Sequence, residues 1–285
     1  MSLDTAARVA LTGPLPDLRL VTVDMDGTLL DADHRIPDSL WSLLPQLRER
    51  GVIFCPASGR QHATLAAQFA PVADDLVIIA ENGSYVAHGG REISSTTIDR
   101  GVVDEVVRAV RDLVATGVHA GAVVCGKRSA YLETHDAAVR AEADRYYARL
   151  ESVPDLLAVD DDVLKVAVFD AGSAARTTAP ALARFADTHQ VVVSGAHWVD
   201  VMHADVHKGA AVQTLQRLHG ISRSQTMAFG DYLNDLQMLD AAEHSVAMDN
   251  AHPQVLARAR YRAPSNTQDG VVRTLRTALG LTGAP

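Results

Sequence analysis

Near both ends of the chain, short and almost wholly apolar runs alternate with amphipathic stretches. Leu20-Val21-Thr22-Val23, Val52-Ile53-Phe54-Cys55, Leu76-Val77-Ile78-Ile79-Ala80, Thr226-Met227-Ala228-Phe229 and Ser245-Val246-Ala247-Met248 are the runs. Helical spacing fills the gaps over 39–50, 61–69, 208–219 and 235–242, with Gly or Pro near most of the ends as a stop. Strands that are apolar on both faces and separated by helices predict a parallel sheet covered on both sides. The expected fold class is therefore α/β, with a doubly wound, mainly parallel sheet. Each run is followed at once by polar residues: Asp24, Ser58, Glu81-Asn82, Gly230-Asp231 and Asp249-Asn250. Open α/β sheets bind ligands beyond the carboxyl ends of their strands, so five such ends together mark one edge as the candidate site.

The middle of the chain follows another pattern. Helices are predicted over 102–116, 137–150 and 174–189, a strand over 164–169, and hairpins at 122–125 with 130–133 and at 190–194 with 198–202. Strands joined by short turns predict an antiparallel sheet. Residues 88–202 are thus expected to form an α+β domain inserted into a core made of residues 1–87 and 203–285.

Composition narrows the function classes. The 285 residues are 47% apolar, enough for a sizeable core, and the formal charge of −9 argues against nucleic acid as a partner. No apolar run reaches the roughly 18 residues that a membrane span needs. The N-terminal stretch carries Asp4 and Arg8 where a signal peptide would have an apolar core. Cys55 and Cys125 are far apart and form no CxxC pair, which suits free thiols in a reducing compartment. The chain reads as cytoplasmic, with no membrane partner, and nothing in it sets an oligomeric state.

The chemistry concentrates in Asp24-Met25-Asp26-Gly27-Thr28-Leu29, directly after an apolar run. Two carboxylates at i and i+2, with a glycine to turn the chain, can face one cavity and favour a divalent cation. This segment resembles the first motif, DxDGTL, of the haloacid-dehalogenase-like hydrolases. Ser58 in Ala57-Ser58-Gly59-Arg60, Lys208 before Gly209, and Gly230-Asp231-Tyr232-Leu233-Asn234-Asp235 are similar to the second, third and fourth motifs. Their order and the large insert are similar to the Cof-type branch, whose Rossmann-like core carries an α+β cap. Glu81-Asn82-Gly83, 247–251 and 265–271 look like that branch as well.

The resemblance implies a phosphatase acting on small phosphate monoesters such as sugar phosphates. Asp24 would be the nucleophile, forming an aspartyl-phosphate, and Asp26 the general acid and base. Ser58, Lys208 and Asn234 would hold the phosphoryl oxygens. Mg²⁺ would take the Asp24 carboxylate, the Asp26 main-chain carbonyl and the Asp231 carboxylate, with Asp235 and Thr28 supporting them. The alternative on the same aspartate pair is a phosphotransferase of the sugar phosphomutase type. Dehalogenation is disfavoured by the acid at Asp26, and a non-catalytic binding module has no use for a nucleophile.

Other features carry less. His203 and His207 are four apart, but a strand-to-helix transition between them argues against a shared metal with His197. Arg60 either reaches substrate or caps the site. Asp160-Asp161-Asp162 reads as a solvated turn. Departures from the branch pattern are Asp249 in place of glycine, Ser58 in place of threonine, and His207 before the lysine.

Overall fold

The computed structural model describes residues 10–281; Asp4 and Arg8 lie outside the described residues. The larger sheet contains β1 (Leu20–Asp24), β2 (Ile53–Ala57), β3 (Val77–Ala80), β4 (Tyr85–His88) and β5 (Arg91–Ser95). The chain then enters a second sheet through β6 (Ala120–Gly126), β7 (Ala130–Leu132), β8 (Leu150–Ser152), β9 (Val163–Asp170), β10 (His189–Val193) and β11 (Trp198–His203). It returns to the first sheet for β12 (Thr226–Gly230), β13 (His244–Met248) and β14 (Tyr261–Ala263).

The order of the first sheet is β14-β13-β12-β1-β2-β3-β4-β5. Its first six strands are parallel, and β4 and β5 extend it antiparallel. All five expected apolar runs are strands of this sheet. β1 lies in the middle because Leu20, Val21 and Val23 are wholly buried and accept neighbours on both sides. The chain leaves β1 toward β2 on one side and comes back from the second sheet to β12 on the other. Strand order therefore reverses at the carboxyl end of β1, which is where Asp24 stands. β2 runs on through Pro56 to Ala57; it meets β3 through a single registered pair, Ala57 with Ile79.

The second sheet, in the order β10-β11-β9-β6-β7-β8, is antiparallel except where β7 pairs with β8. Side chains alternate across it, so that Val124, Val166, Val168 and Val199 pack with the helix Arg100–Ala115. The opposite face presents Val123, Cys125, Ala167 and Phe169. This is the expected α+β unit, with differences of detail. Residues 91–95, expected in the insert, form β5 at the edge of the first sheet. Gly89 and Gly90, with φ of 53° and 72°, make the two-residue hairpin that folds it there. The helix expected to reach Leu150 ends at Tyr146, and Leu150 starts β8. The helix expected over 174–189 is a set of short helical turns from Ala174 to Phe185, interrupted at Pro180, and His189 belongs to β10.

Gly83 has a φ of 105°, and a Cβ there would lie 2.7 Å from the His207 carbonyl oxygen. Only a glycine lets the turn after β3 press against the start of the helix Lys208–His219. Gly83→Ala is expected to lose about 1–3 kcal/mol of stability in urea unfolding; an unchanged midpoint would contradict this packing.

Candidate active site

Asp24 ends β1 and is buried, and opposite it the wholly buried Lys208 opens the helix Lys208–His219. Lys208 Nζ donates to Asp24 Oδ1 at 2.5 Å and to Asp235 Oδ1 at 2.7 Å. The other Asp235 oxygen accepts from the main-chain N–H groups of Asp231 and Tyr232 at 3.0 and 3.2 Å. Both Asp235 oxygens are thus engaged inside the protein. Asp231 follows β12, and its Oδ1 accepts from the Thr28 hydroxyl at 2.9 Å. Its other oxygen sits against Gly27, where a Cβ would come within 2.4 Å of it. Carboxylate oxygens of Asp24, Asp231 and Asp235 lie within 4.8 Å of one another.

Three carboxylates face one ammonium, so the cluster carries excess negative charge in a place shielded from water. Burial, and after it the Asp235 carboxylate, pushes Asp24 well above the carboxylate range, against the pull of Lys208. Asp231 is raised for the same two reasons. Burial works against the Lys208 ammonium, but Asp235 and Asp24 more than offset it and hold it charged. An all-oxygen set of this kind suits a hard divalent cation.

Asp26 points elsewhere. Arg60 grips its carboxylate with both arms, Nε to Oδ2 at 2.8 Å and a terminal nitrogen to Oδ1 at 2.5 Å. The exposed His34 ring nitrogen lies 3.3 Å from Asp26 Oδ1. Burial acts against the ionised form, yet this fork, helped by His34, holds Asp26 below the usual carboxylate range. Arg60 therefore binds the pair's second acid, and His34 was not anticipated from sequence; only its ring beside an acid in space shows it.

Ser58 is buried just beyond β2, and its Oγ accepts from the Arg60 N–H at 3.1 Å. Asn234, on an exposed turn, donates to Asn82 Oδ1 at 3.3 Å. Asn82 thus reaches the site from the turn after β3, a placement its sequence neighbourhood alone does not give. Asn250 ties the far side by donating to the Gly27 carbonyl at 2.8 Å.

The departures find local explanations. Asp249 pairs with Arg262 at 2.5 Å at the surface, so its charge is answered away from the cluster. His207 caps the lysine's helix: its Nδ1 accepts from the Ala210 N–H at 3.0 Å. His203 Nδ1 accepts from Asp205 N, and the His197 ring meets the Asp170 carbonyl. The three histidines have separate tasks.

Residues 21–275 match the family model of haloacid dehalogenase-like hydrolases. The chain belongs to that family. It is 32% identical over 265 residues to 5-amino-6-(5-phospho-D-ribitylamino)uracil phosphatase YbjI of Escherichia coli, covering 92% of this chain and 96% of the relative. It is 28% identical over 242 residues to an HMP-PP phosphatase of Cronobacter sakazakii, covering 84% and 87%. Among solved structures, SMU.1108c from Streptococcus mutans superposes with a TM-score of 0.82 at 24% identity, over 92% of this chain and 99% of the other. The likeness of fold extends over nearly the whole chain. No helix among the described residues is long and apolar enough to cross a membrane.

The His207 cap yields a pH test. Accepting at Nδ1 requires a neutral ring, and burial lowers the folded-state pKa of this histidine below its ordinary value. The unfolded chain then binds the extra proton more readily, so the cap's contribution is present above about pH 6.5 and is lost as pH falls. His207→Asn keeps a capping acceptor that does not titrate. The native protein is expected to lose stability relative to this variant on acidification below about pH 6.5, followed by urea unfolding. Parallel curves would contradict the role.

Proposed function

We propose that this family member is a Mg²⁺-dependent phosphatase of small-molecule phosphate monoesters, working through an aspartyl-phosphate on Asp24. The observation that carries the proposal is the buried Asp24, held by Lys208 beside Asp231 where strand order reverses. By the family resemblance, Asp24, Asp231 and the main-chain carbonyl of Asp26 would hold the ion; the engagement of the Asp26 side chain by Arg60 and of both Asp235 oxygens is compatible with that set. When bound, the cation offsets the excess negative charge and favours the ionised, nucleophilic form of Asp24.

In the first displacement an Asp24 oxygen bonds to phosphorus as the ester P–O bond breaks, and Asp26 gives its proton to the departing alkoxide. In the second, water attacks phosphorus, Asp26 takes the water's proton, the Asp24–phosphorus bond breaks, and inorganic phosphate leaves. Ser58, Lys208 and Asn234 supply donors to the phosphoryl oxygens while charge develops on them. Asp26 can carry a proton only once Arg60 loosens its fork. The arriving phosphate offers Arg60 a competing anion of the shape a guanidinium binds best. Thr28 orients Asp231, and Asp235 orients Lys208.

The relatives' names support small metabolite phosphates as substrates, since one is named for a ribityl phosphate joined to a uracil and the other for HMP-PP. Cys55 and Cys125 are both free and buried, which fits a cytoplasmic enzyme.

A phosphate-release screen over metabolite phosphates, with and without Mg²⁺, is expected to give Mg²⁺-dependent turnover. Asp24→Asn is expected to lose at least about 10³-fold in kcat while still binding substrate. Undiminished release by that variant would defeat the mechanism.

A further inference from the structure

A second buried charge cluster lies outside the machinery described above. Lys165 projects from β9, in the second sheet, and is 4% exposed; Glu81 and Asp200 are 1% and 4% exposed. Its ammonium lies 2.9 Å from Glu81 Oε2 and 3.5 Å from Asp200 Oδ1, and donates to the Gly59 carbonyl at 3.0 Å. Burial acts against its charge, but Asp200 and Glu81 more than offset that. Buried ion pairs are weak sources of stability, because desolvation consumes most of the attraction. What this one does is geometric: it joins a strand of one sheet to two loops of the other.

Those loops are the ones that carry the phosphoryl-site donors. Residues 58–60 follow β2 and hold Ser58 and Arg60; residues 81–83 follow β3 and hold Asn82, the partner of Asn234. They interlock through Glu81 N–H to the Arg60 carbonyl at 3.0 Å and Asn82 N–H to the Ser58 carbonyl at 2.9 Å. Glu81 and Asn82 are both left-handed, with φ of 49° and 56°. A glutamate in that conformation is strained and persists only where its surroundings hold it. The ammonium of Lys165 touches the strained residue and the neighbouring loop at once.

We propose that Lys165 is a positioning residue for the phosphoryl site, reaching from the cap to fix the 58–60 and 81–83 loops and through them Ser58, Arg60 and Asn234. The site is then fully assembled only with the cap seated on the core. This rests on the phosphatase reading above. The cap keeps a separate hold on the core: Gln61 exchanges two hydrogen bonds with the Arg149 backbone, at 2.9 and 3.0 Å, and Thr64 bonds the backbone at Tyr146 and Ala148. Loss of Lys165 leaves those contacts in place.

The test compares Lys165→Met and Lys165→Arg with Asp200→Asn, which alters an equally buried member of the cluster, one paired with Lys165 at 3.5 Å, and leaves the Lys165 contacts with Glu81 and Gly59 in place. With p-nitrophenyl phosphate and Mg²⁺, Lys165→Met is expected to lose about 10–100-fold, in kcat rather than KM. Lys165→Arg, which can still reach both loops, recovers part of it, and Asp200→Asn stays within about twofold of the native enzyme. Amide hydrogen exchange at 58–60 and 81–83 should quicken in Lys165→Met and not in Asp200→Asn. Glu81→Gln keeps the side-chain size and reads the same loops should Lys165→Met not fold. Native kcat and native exchange in Lys165→Met or Glu81→Gln, or equal losses in Asp200→Asn, would overturn the proposal. Absence of phosphate release by the native enzyme would instead defeat the phosphatase reading, and the exchange comparison would still decide the role of Lys165.

Discussion

The buried contact of Lys208 with Asp24 and Asp235 is the interaction on which the rest of the site depends. A wholly enclosed ammonium has to be answered by carboxylates, and carboxylates gathered at one strand end have to be answered by positive charge. One lysine against three aspartates leaves a surplus of negative charge that a divalent cation or a bound proton can balance. The fold supplies the place for this arrangement. β1 is covered on both faces and flanked on both edges, so its last residue emerges where neighbouring loops diverge and a crevice opens. His207 then caps the helix that presents the lysine, and Gly27 and Gly83 let backbone approach closer than any side chain would allow.

Much of this was legible in the sequence, for a physical reason. Strands buried on both faces must be continuously apolar, so all five runs stood out. Residues that serve chemistry at their ends then interrupt that pattern in an abrupt way. Asp24 and Asp231 are of this kind, at the end of β1 and directly after β12, whereas Lys208 opens a helix and stood out only through the order of the motifs. The edges of the fold were less visible. β5 has little apolar signal, because an edge strand need not bury both faces, and the paired glycines before it were the available clue. The broken helix over 174–185 reads as continuous in periodicity, since a proline interrupts hydrogen bonding without changing the apolar spacing.

Contacts between distant segments were not legible at all. The grip of Arg60 on Asp26, the approach of His34, the reach of Asn82 to Asn234 and the bridge from Lys165 to Glu81 each join residues from different elements. No spacing rule records such pairs, and an isolated lysine in an apolar strand reads only as an oddity. They also give the site its two levels of control. On the proposed mechanism, Arg60 would hold Asp26 until an anion competes for it, and the cap, through Lys165, would hold the loops of Ser58 and Asn82. The two proposals would couple chemistry on the core to the cap through the same few residues around 58–61 and 81–83.

The central claim is that Asp24 carries the phosphoryl group between two displacements. The most direct measurement is rapid acid quench of the enzyme during turnover, followed by peptide mass analysis. A phosphoryl group on the peptide containing Asp24, formed at a rate that can support turnover and released with it, is the predicted result. Steady phosphate release with no phosphorylated peptide, or with the group on another residue, would contradict the account.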